Sequence, residues 1–260
     1  MQEPVAVFGR ALVRWGNWRA LPIATVWLLT AHAALGGWAQ YQVGSFRVYS
    51  EFPLKETGTL VGDLQRLPDD LSRSLQLPLP ETVVEVFLFS DRNAYEQYLK
   101  TTMPNAPQQR RALFVHRADS YRVYAYRNRH LATDVRHECT HALLHSSLAM
   151  VPLWLDEGLA TYFQVEPGRR FADNPALRGL VWDMRLGRMT TFEALENLTS
   201  VEAMAATDYR TAWAWVHFMF HGPPEAREEL VGFLADIRMR RPPGSLRARL
   251  PESSRRRIRR

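Results

Sequence analysis

The sequence predicts an α+β fold in which strands dominate the first half of the chain and helices the second half. Four short segments of the first half either alternate apolar and polar side chains or are dense in β-branched and aromatic residues, as strands are. These segments are residues 46–50, 82–89, 112–116 and 121–126. Later in the chain, apolar residues recur instead every three or four positions, which is the spacing of packed helices. This spacing predicts helices over residues 175–186, 192–198, 206–220 and 225–239.

Length and composition favour a single domain. A chain of 260 residues with 46% hydrophobic residues can bury a full core. The formal net charge of +6 is concentrated at the C-terminus, since residues 241–260 contain eight arginines and one glutamate. The first 240 residues are therefore close to neutral. If the chain is exported, anionic lipid or a cell-envelope polyanion is a more accessible partner for these arginines than nucleic acid, so we expect no nucleic acid partner.

The first 39 residues have the pattern of an export signal. Three arginines between positions 10 and 19 precede an uncharged stretch, residues 20–39, which ends in Gly-Trp-Ala. Small residues at Gly37 and Ala39 predict signal-peptidase cleavage after Ala39 and export of the protein to the periplasm or the extracellular space. Two alternatives stay open. The stretch of about 20 residues is long enough to persist as a membrane anchor, or it could form a buried N-terminal helix.

Composition, charge and the export pattern predict three parts of the chain: a signal peptide or anchor over residues 1–39, a folded domain over 40–239 and a basic tail over 240–260. The tail has too few apolar residues for a core of its own, so we expect it to be disordered. In an exported protein its arginines could contact anionic lipid or a cell-envelope polyanion. A tail that is simply solvated is the alternative. The sequence leaves the oligomeric state open.

The first half of the domain is predicted in some detail. Leucines at helical spacing indicate a helix over residues 60–75, although Pro68 should break or kink it. Residues 82–89 form the strongest strand and should lie centrally in the sheet. Asp91 is placed to cap the helix that follows this strand. The strands 112–116 and 121–126 are close enough to form a hairpin.

The motif H-E-C-T-H at residues 137–141 predicts a metal site. On a helix, His137 and His141 lie one above the other and present both imidazoles from one face. A catalytic zinc is held by three protein ligands and leaves its fourth position to water, which Glu138 could reach as a general base. Asp134, three residues before His137, is a candidate for orienting that imidazole. Because such a motif also arises by chance, two core histidines are the alternative.

A second motif, W-L-D-E-G-L-A at residues 154–160, predicts the third ligand. Pro152 suits the first turn of a helix whose inner stripe includes Glu157. A buried carboxylate without a partner is costly, and a metal would remove that cost. Asp156 is rotated by about 100° from Glu157, so we expect it at the surface or capping nearby backbone. Gly158 should allow this helix to approach a neighbouring helix closely.

Two further side chains near the motif have simpler interpretations. His145 is displaced around the helix from His141, and three imidazoles in one row along a helix fit tetrahedral metal coordination poorly. We therefore expect His145 to be a partly exposed histidine and not a ligand. Cys139 is the only cysteine of the chain and excludes an internal disulfide. It is turned by about 200° from His137 and should be a small buried thiol.

Together the two motifs resemble those of the gluzincin metallopeptidases, in which a glutamate on the next helix is the third zinc ligand. Only 15 residues separate His141 from Glu157. This spacing is more similar to the compact bacterial proteins called peptidase MA-like domains than to the aminopeptidases. The resemblance covers residues 83–220. It implies a zincin-like fold, with a small mixed sheet packed on the H-E-x-x-H helix, and Zn²⁺ held by His137, His141 and Glu157.

The resemblance also implies a role for residues outside the zinc motifs. In gluzincin aminopeptidases a tyrosine downstream of the zinc site stabilises the tetrahedral intermediate, and Tyr209 matches it in order along the chain. Packing is the alternative for Tyr209. Zincins bind extended substrate along an edge strand beside the zinc helix, and residues 124–126 are the candidate here, or a plain structural strand. Leu144 and Ser147 stand where a metzincin requires glycine and histidine, which excludes that family.

The sequence therefore predicts a zinc-dependent peptidase that acts on peptide or protein substrates, with Glu138 as the general base. The alternative is a non-catalytic zincin-fold protein that binds or scaffolds at the cell envelope. The chain shows no G-x-M-E-N-like motif of the kind that holds a free amino terminus. This absence slightly favours an endopeptidase over an aminopeptidase, and the specificity stays open.

Overall fold

The computed structural model describes residues 32–33, 37–118 and 120–252. The predicted signal peptide or anchor lies mostly outside these residues, so cleavage after Ala39 and export both stay predictions. Over the described part of the chain, no helix has the length and apolar character required to cross a membrane.

The fold is α+β, as predicted. One mixed sheet of six described strands has the order β1-β2-β3-β4-β6-β5. The strands are β1 His32–Ala33, β2 Ala39–Val43, β3 Phe46–Ser50, β4 Val84–Phe89, β5 Ala112–Arg117 and β6 Ser120–Tyr126. β4 pairs in parallel with both β3 and β6, and the other neighbours pair antiparallel.

The sheet is built around β4, which was predicted to be central. Val84, Val86 and Leu88 on this strand are fully buried, because helices cover the face of the sheet towards which they point. The predicted hairpin is present as β5 and β6, with Phe114 opposite Val123. Consequently β6 is an internal strand and β5 forms one edge of the sheet.

Nine α-helices occur within the described residues. They are α1 Leu60–Leu75, α2 Arg92–Thr102, α3 Leu131–Ser147, α4 Leu153–Phe163, α5 Pro175–Arg185, α6 Phe192–Glu196, α7 Ala206–His221, α8 Pro224–Arg238 and α9 Leu246–Arg249. Asp91 caps α2 as predicted, since its side chain accepts a hydrogen bond from the Ala94 N–H. The helices predicted for the C-terminal half are all present, with boundaries within three residues of the prediction.

Pro68 does not break α1, which excludes the first of the two effects, a break or a kink, predicted from the sequence. α1 is assigned as one helix from Leu60 to Leu75 with Pro68 inside it. A proline in a helix interior costs about 3 kcal/mol. Five leucines at helical spacing on α1 are each at most 1% exposed, and burying one leucine contributes about 1.5–3 kcal/mol. The packed leucine stripe therefore outweighs the cost of the proline.

The helix α4 lies against α7 at very short range because of Gly158. A Cβ atom at this position would lie 2.9 Å from the Ala212 carbonyl oxygen and 2.9 Å from a Val216 methyl group. Real Cβ atoms do not approach backbone this closely, so only glycine fits without a shift. The close approach predicted from the sequence is confirmed, and it sets the position of Glu157, the residue before Gly158.

The C-terminal region differs from the disordered tail predicted for residues 240–260. Helix α9 is capped by the Ser245 hydroxyl, which accepts from the Ala248 N–H. Leu246 and Leu250 are almost completely buried in the main core. The prediction is therefore wrong for this segment, because two leucines spaced by four residues supply core contacts that the arginine-rich composition conceals. Residues 253–260 lie outside the described part.

Candidate metal centre

Helix α3 carries the H-E-C-T-H motif between the sheet and α4. Val135, Cys139 and Ala142 on α3 are fully buried in the main core, which orients the other side of the helix, with its histidines, towards α4. Burial also raises the pKa of the Cys139 thiol well above its ordinary value. Cys139 is thus the small buried thiol expected from the sequence.

Three side-chain atoms from α3 and α4 converge on one point. His137 Nε2 lies 3.2 Å from His141 Nε2 and 3.3 Å from Glu157 Oε2, and His141 Nε2 lies 3.6 Å from the same oxygen. Around a tetrahedral zinc with bonds of about 2.0–2.1 Å, neighbouring ligand atoms are about 3.3 Å apart. The three residues named from the sequence as ligands are therefore spaced to hold a metal ion.

Glu157 has the electrostatic character of a metal ligand. Its side chain is almost completely buried, and Oε2 accepts no hydrogen bond from any described residue. Burial raises the pKa of Glu157, but the neighbouring imidazoles of His137 and His141 outweigh burial and hold it well below its usual range. A buried, ionised carboxylate that faces two imidazole nitrogens and lacks a hydrogen-bond donor fits a bound cation.

Asp156 lies behind the candidate metal site and contacts two histidines of α3. Its Oδ1 is 3.0 Å from His141 Nδ1, and its Oδ2 is 2.9 Å from His145 Nε2. The second contact is a hydrogen bond, whereas the first is close without the alignment of one. The prediction that Asp156 reaches the surface or caps backbone is wrong. Residues 154–163 of α4 are all buried, so this part of the helix has no side that faces solvent.

The Asp156 carboxylate explains how His141 is oriented. A carboxylate beside Nδ1 favours the proton on that nitrogen and leaves the Nε2 lone pair for a metal. Burial lowers the pKa of His141, but Asp156 and Glu157 outweigh burial and raise it well above its ordinary value. Burial raises the pKa of Asp156, but the two histidines outweigh burial and lower it to about 2. His145 is partly exposed, as predicted, and binds Asp156 instead of the site formed with Glu157.

Glu138 lies on the sheet side of α3, next to the edge strand. Its side chain is buried, and its Oε2 accepts a hydrogen bond of 2.8 Å from the Phe114 N–H on β5. Glu138 is not among the residues positioned to hold a metal, which are His137, His141 and Glu157 and, as a second group, His141, His145 and Asp156. The edge strand beside the site is therefore β5. Residues 124–126 lie on the internal strand β6, so of the two interpretations left open by the sequence the edge strand is wrong and the structural strand holds. Sequence alone does not show which arm of a hairpin joins the rest of the sheet.

Asp134 does not orient His137. Both carboxylate oxygens of Asp134 instead accept hydrogen bonds from Arg111, at 2.8 and 2.7 Å. This ion pair joins the first turn of α3 to the segment before β5 and so fixes the helix relative to the edge strand.

Tyr209 lies half-buried in the first turn of α7. Burial raises the pKa of Tyr209, the negative charge of Glu157 raises it further, and the positive charges of Arg110 and His141 oppose this rise. The hydroxyl is thus within the electrostatic field of the candidate metal centre. This position is compatible with the role implied by the gluzincin resemblance.

A buried arginine that the sequence reasoning missed ties together the two helices that carry the ligands. Arg136 is 2% exposed and donates hydrogen bonds to the carbonyl oxygens of Phe163 and Val165, at the end of α4. Its guanidinium also lies within 4 Å of Asp63 and Asp70 on α1. No local pattern marks such a residue, because its partners are distant in sequence.

Comparison with known proteins identifies one family. Residues 130–243 match the family described as "Protein of unknown function (DUF1570)". No curated protein sequence matches the chain. The matched segment includes both motifs, all three candidate ligands and Tyr209, but the description of the family assigns no activity. Over residues 130–243 the chain is therefore similar to a family of proteins of unknown function.

Proposed function

We propose that this protein is a zinc-dependent peptidase in which His137, His141 and Glu157 hold the zinc ion. The observation that carries the proposal is the convergence of two imidazole nitrogens and one buried carboxylate oxygen, separated by 3.2–3.6 Å. Three ligands of these types leave one coordination position free, which is the arrangement of catalytic zinc sites. When bound, zinc would supply a Lewis acid that polarises a peptide carbonyl and acidifies a water molecule.

In this proposal Glu138 moves the proton. It directly follows the candidate ligand His137 on α3, and its carboxylate accepts a hydrogen bond from the Phe114 N–H of β5. We assign it to accept a proton from the attacking water and to deliver that proton to the amine leaving group. The hydrogen bond from the Phe114 N–H holds the carboxylate beside the edge strand. A peptide bound along β5 would thus present its scissile bond close to Glu138.

The edge strand β5 is assigned to bind the substrate. Among the described strands, β5 pairs with β6 alone, so no strand covers its other edge, where the Phe114 N–H is donated to Glu138. Backbone groups alternate between the two edges of a strand, which places those of Ala112 and His116 on the same edge as the Phe114 N–H. An extended peptide or protein segment could add to this edge by main-chain hydrogen bonding. Recognition would then depend more on backbone than on side chains.

Tyr209 is assigned to donate a hydrogen bond to the negative charge that develops on the carbonyl oxygen. Its half-buried position in the field of Glu157 and His141 supports this role. The packing of α3 against the sheet supports a zincin-like fold. Export of the chain, with cleavage after Ala39, would place the peptidase outside the cytoplasm. Under this proposal the basic C-terminal residues could add contact with anionic components of the envelope.

The test compares peptide hydrolysis by wild type and Glu138→Gln after both are loaded with zinc. The amide keeps the shape of Glu138 and removes its basicity, so we expect zinc to be retained and hydrolysis of a peptide library to fall about 10²- to 10⁴-fold. Glu193→Gln, an exposed glutamate on α6, is the matched control and should hydrolyse at the wild-type rate. Hydrolysis by Glu138→Gln at the wild-type rate would refute Glu138 as the general base. No hydrolysis by zinc-loaded wild type would instead favour the non-catalytic binding protein.

A further inference from the structure

The exposed large apolar side chains are concentrated in one short segment. Eight such side chains occur in the part of the chain that the structure describes, and five of them lie between residues 171 and 186. These five are Phe171, Val181, Trp182, Met184 and Leu186, and they are between 38% and 64% exposed. Exposed large apolar side chains that lie together on a protein surface mark a site of interaction.

Helix α5 presents this surface because its opposite side is fixed to α7. Leu180 and Asp183 are buried on the inner side, and Asp183 accepts a hydrogen bond from Arg210 of α7. Gly179 allows the close approach, since a Cβ there would lie 2.6 Å from the Arg210 side chain. These contacts fix the inner side of α5 against α7, so the opposite side of the helix faces away from the core.

Arginines flank the exposed apolar residues on the same side of α5. Arg178 and Arg185 lie four residues before and three residues after Trp182, and the Arg185 guanidinium is 5.7 Å from the centre of the indole ring. Neither arginine forms an ion pair with a described acidic residue. Both line an open groove of about 840 Å³ beside α5, in which Asp173 is the one acidic side chain.

We propose that this α5 surface, made of Arg178, Val181, Trp182, Met184, Arg185 and Leu186, docks on an anionic phospholipid bilayer. A helix that lies in a membrane interface buries an apolar side containing tryptophan, while arginines beside it pair with lipid phosphates. No acidic side chain in the described part of the chain pairs with these arginines, so their positive charge complements an anionic surface. A second copy of the chain fits less well, because a two-fold contact would bring like charges together. This inference goes beyond the proposed peptidase activity and does not depend on it.

Co-sedimentation of the full chain with vesicles tests the proposal. We expect stronger binding to phosphatidylcholine–phosphatidylglycerol vesicles than to pure phosphatidylcholine vesicles. The double variant Arg178→Glu/Arg185→Glu should bind the anionic vesicles at least tenfold more weakly, since each arginine near such a surface contributes about fivefold. Trp182→Ala should also weaken binding, whereas Trp182→Phe should largely preserve it. The matched control is the double variant Arg73→Glu/Arg238→Glu, which makes the same charge change at exposed positions of α1 and α8. Its binding to anionic vesicles should fall far less than that of the α5 variant.

Several results would overturn the inference. One is wild-type protein that does not sediment with anionic vesicles, or that sediments equally with both vesicle types. Another is a double α5 variant that binds like wild type, which would assign any binding to the C-terminal arginines. A third is a wild-type dimer in solution that Trp182→Ala dissociates, which would make the surface a contact between copies. Circular dichroism melts check that each variant is folded. If Trp182→Ala unfolds, the double arginine variant still tests membrane binding, because Arg178 and Arg185 are exposed and their replacement should not disturb folding.

Discussion

Replacing Asp156 by alanine should weaken metal binding although Asp156 is not itself a ligand of the proposed zinc. Asp156 lies 3.0 Å from Nδ1 of His141, the nitrogen opposite the one that faces Glu157. Without this carboxylate, the His141 ring loses the partner that favours its ligating tautomer and orientation. Carboxylates in this position typically contribute about 10- to 100-fold to metal affinity. We therefore expect zinc affinity to fall by about that factor in Asp156→Ala.

The same change should destabilise the metal-free protein. The two histidines lower the pKa of Asp156 from 3.8 to about 2, which corresponds to about 2 kcal/mol of favourable interaction. Because the folded pKa is depressed, this stability is present above pH 4 and is lost as the pH falls towards 2. At neutral pH, a loss of this size should lower the melting temperature by about 4–8 °C for a domain of about 200 residues.

Zinc titration by competition with a chelator, together with calorimetric melting of the metal-free protein, measures both effects. Asp134→Ala is the matched control, because Asp134 is also on α3 but pairs with Arg111 and not with a histidine. It should keep wild-type zinc affinity. The reasoning is refuted if Asp156→Ala binds zinc as tightly as wild type, or if Asp134→Ala weakens binding equally.

Two further predictions concern packing and pH. Gly158→Ala should destabilise the protein by about 1–3 kcal/mol, because its Cβ would overlap the backbone of α7, and unchanged denaturant unfolding would contradict the close packing. The raised pKa of His141 in the metal-free protein means that a metal must displace a proton, so zinc affinity should fall as the pH is lowered through that pKa. Isothermal titration in buffers of different ionisation enthalpy should show proton release on binding; an affinity that does not change with pH would count against His141 as a ligand.

The features predicted correctly from sequence depend on local spacing. The two histidines of the metal site are four residues apart on one helix, so the period of the helix alone brings them together. Glu157 was identified because a buried carboxylate requires a partner, and that requirement holds in any fold. The division into a sheet and a helical half likewise follows from short-range periodicity.

The features that were missed depend on contacts between distant segments. The rotation of Asp156 on α4 predicted a surface or backbone-capping position, but residues 154–163 of α4 are all buried and Asp156 contacts two histidines of α3. Whether β5 or β6 is the edge strand depends on which of them pairs with β4, and the sequence of the hairpin does not show this. Leu246 and Leu250 pack into a core formed by segments far earlier in the chain, which average composition does not reveal.

Zinc content measured on purified wild-type protein and on Glu157→Ala tests the central claim most directly. Both proteins are exposed to excess zinc, dialysed and analysed for metal, and their folding is checked by circular dichroism. We predict one zinc per wild-type chain and a large loss in the variant, because the three ligand atoms lie at the mutual distances of a tetrahedral site. Folded wild-type protein without zinc, or Glu157→Ala that retains as much zinc as wild type, would contradict the account.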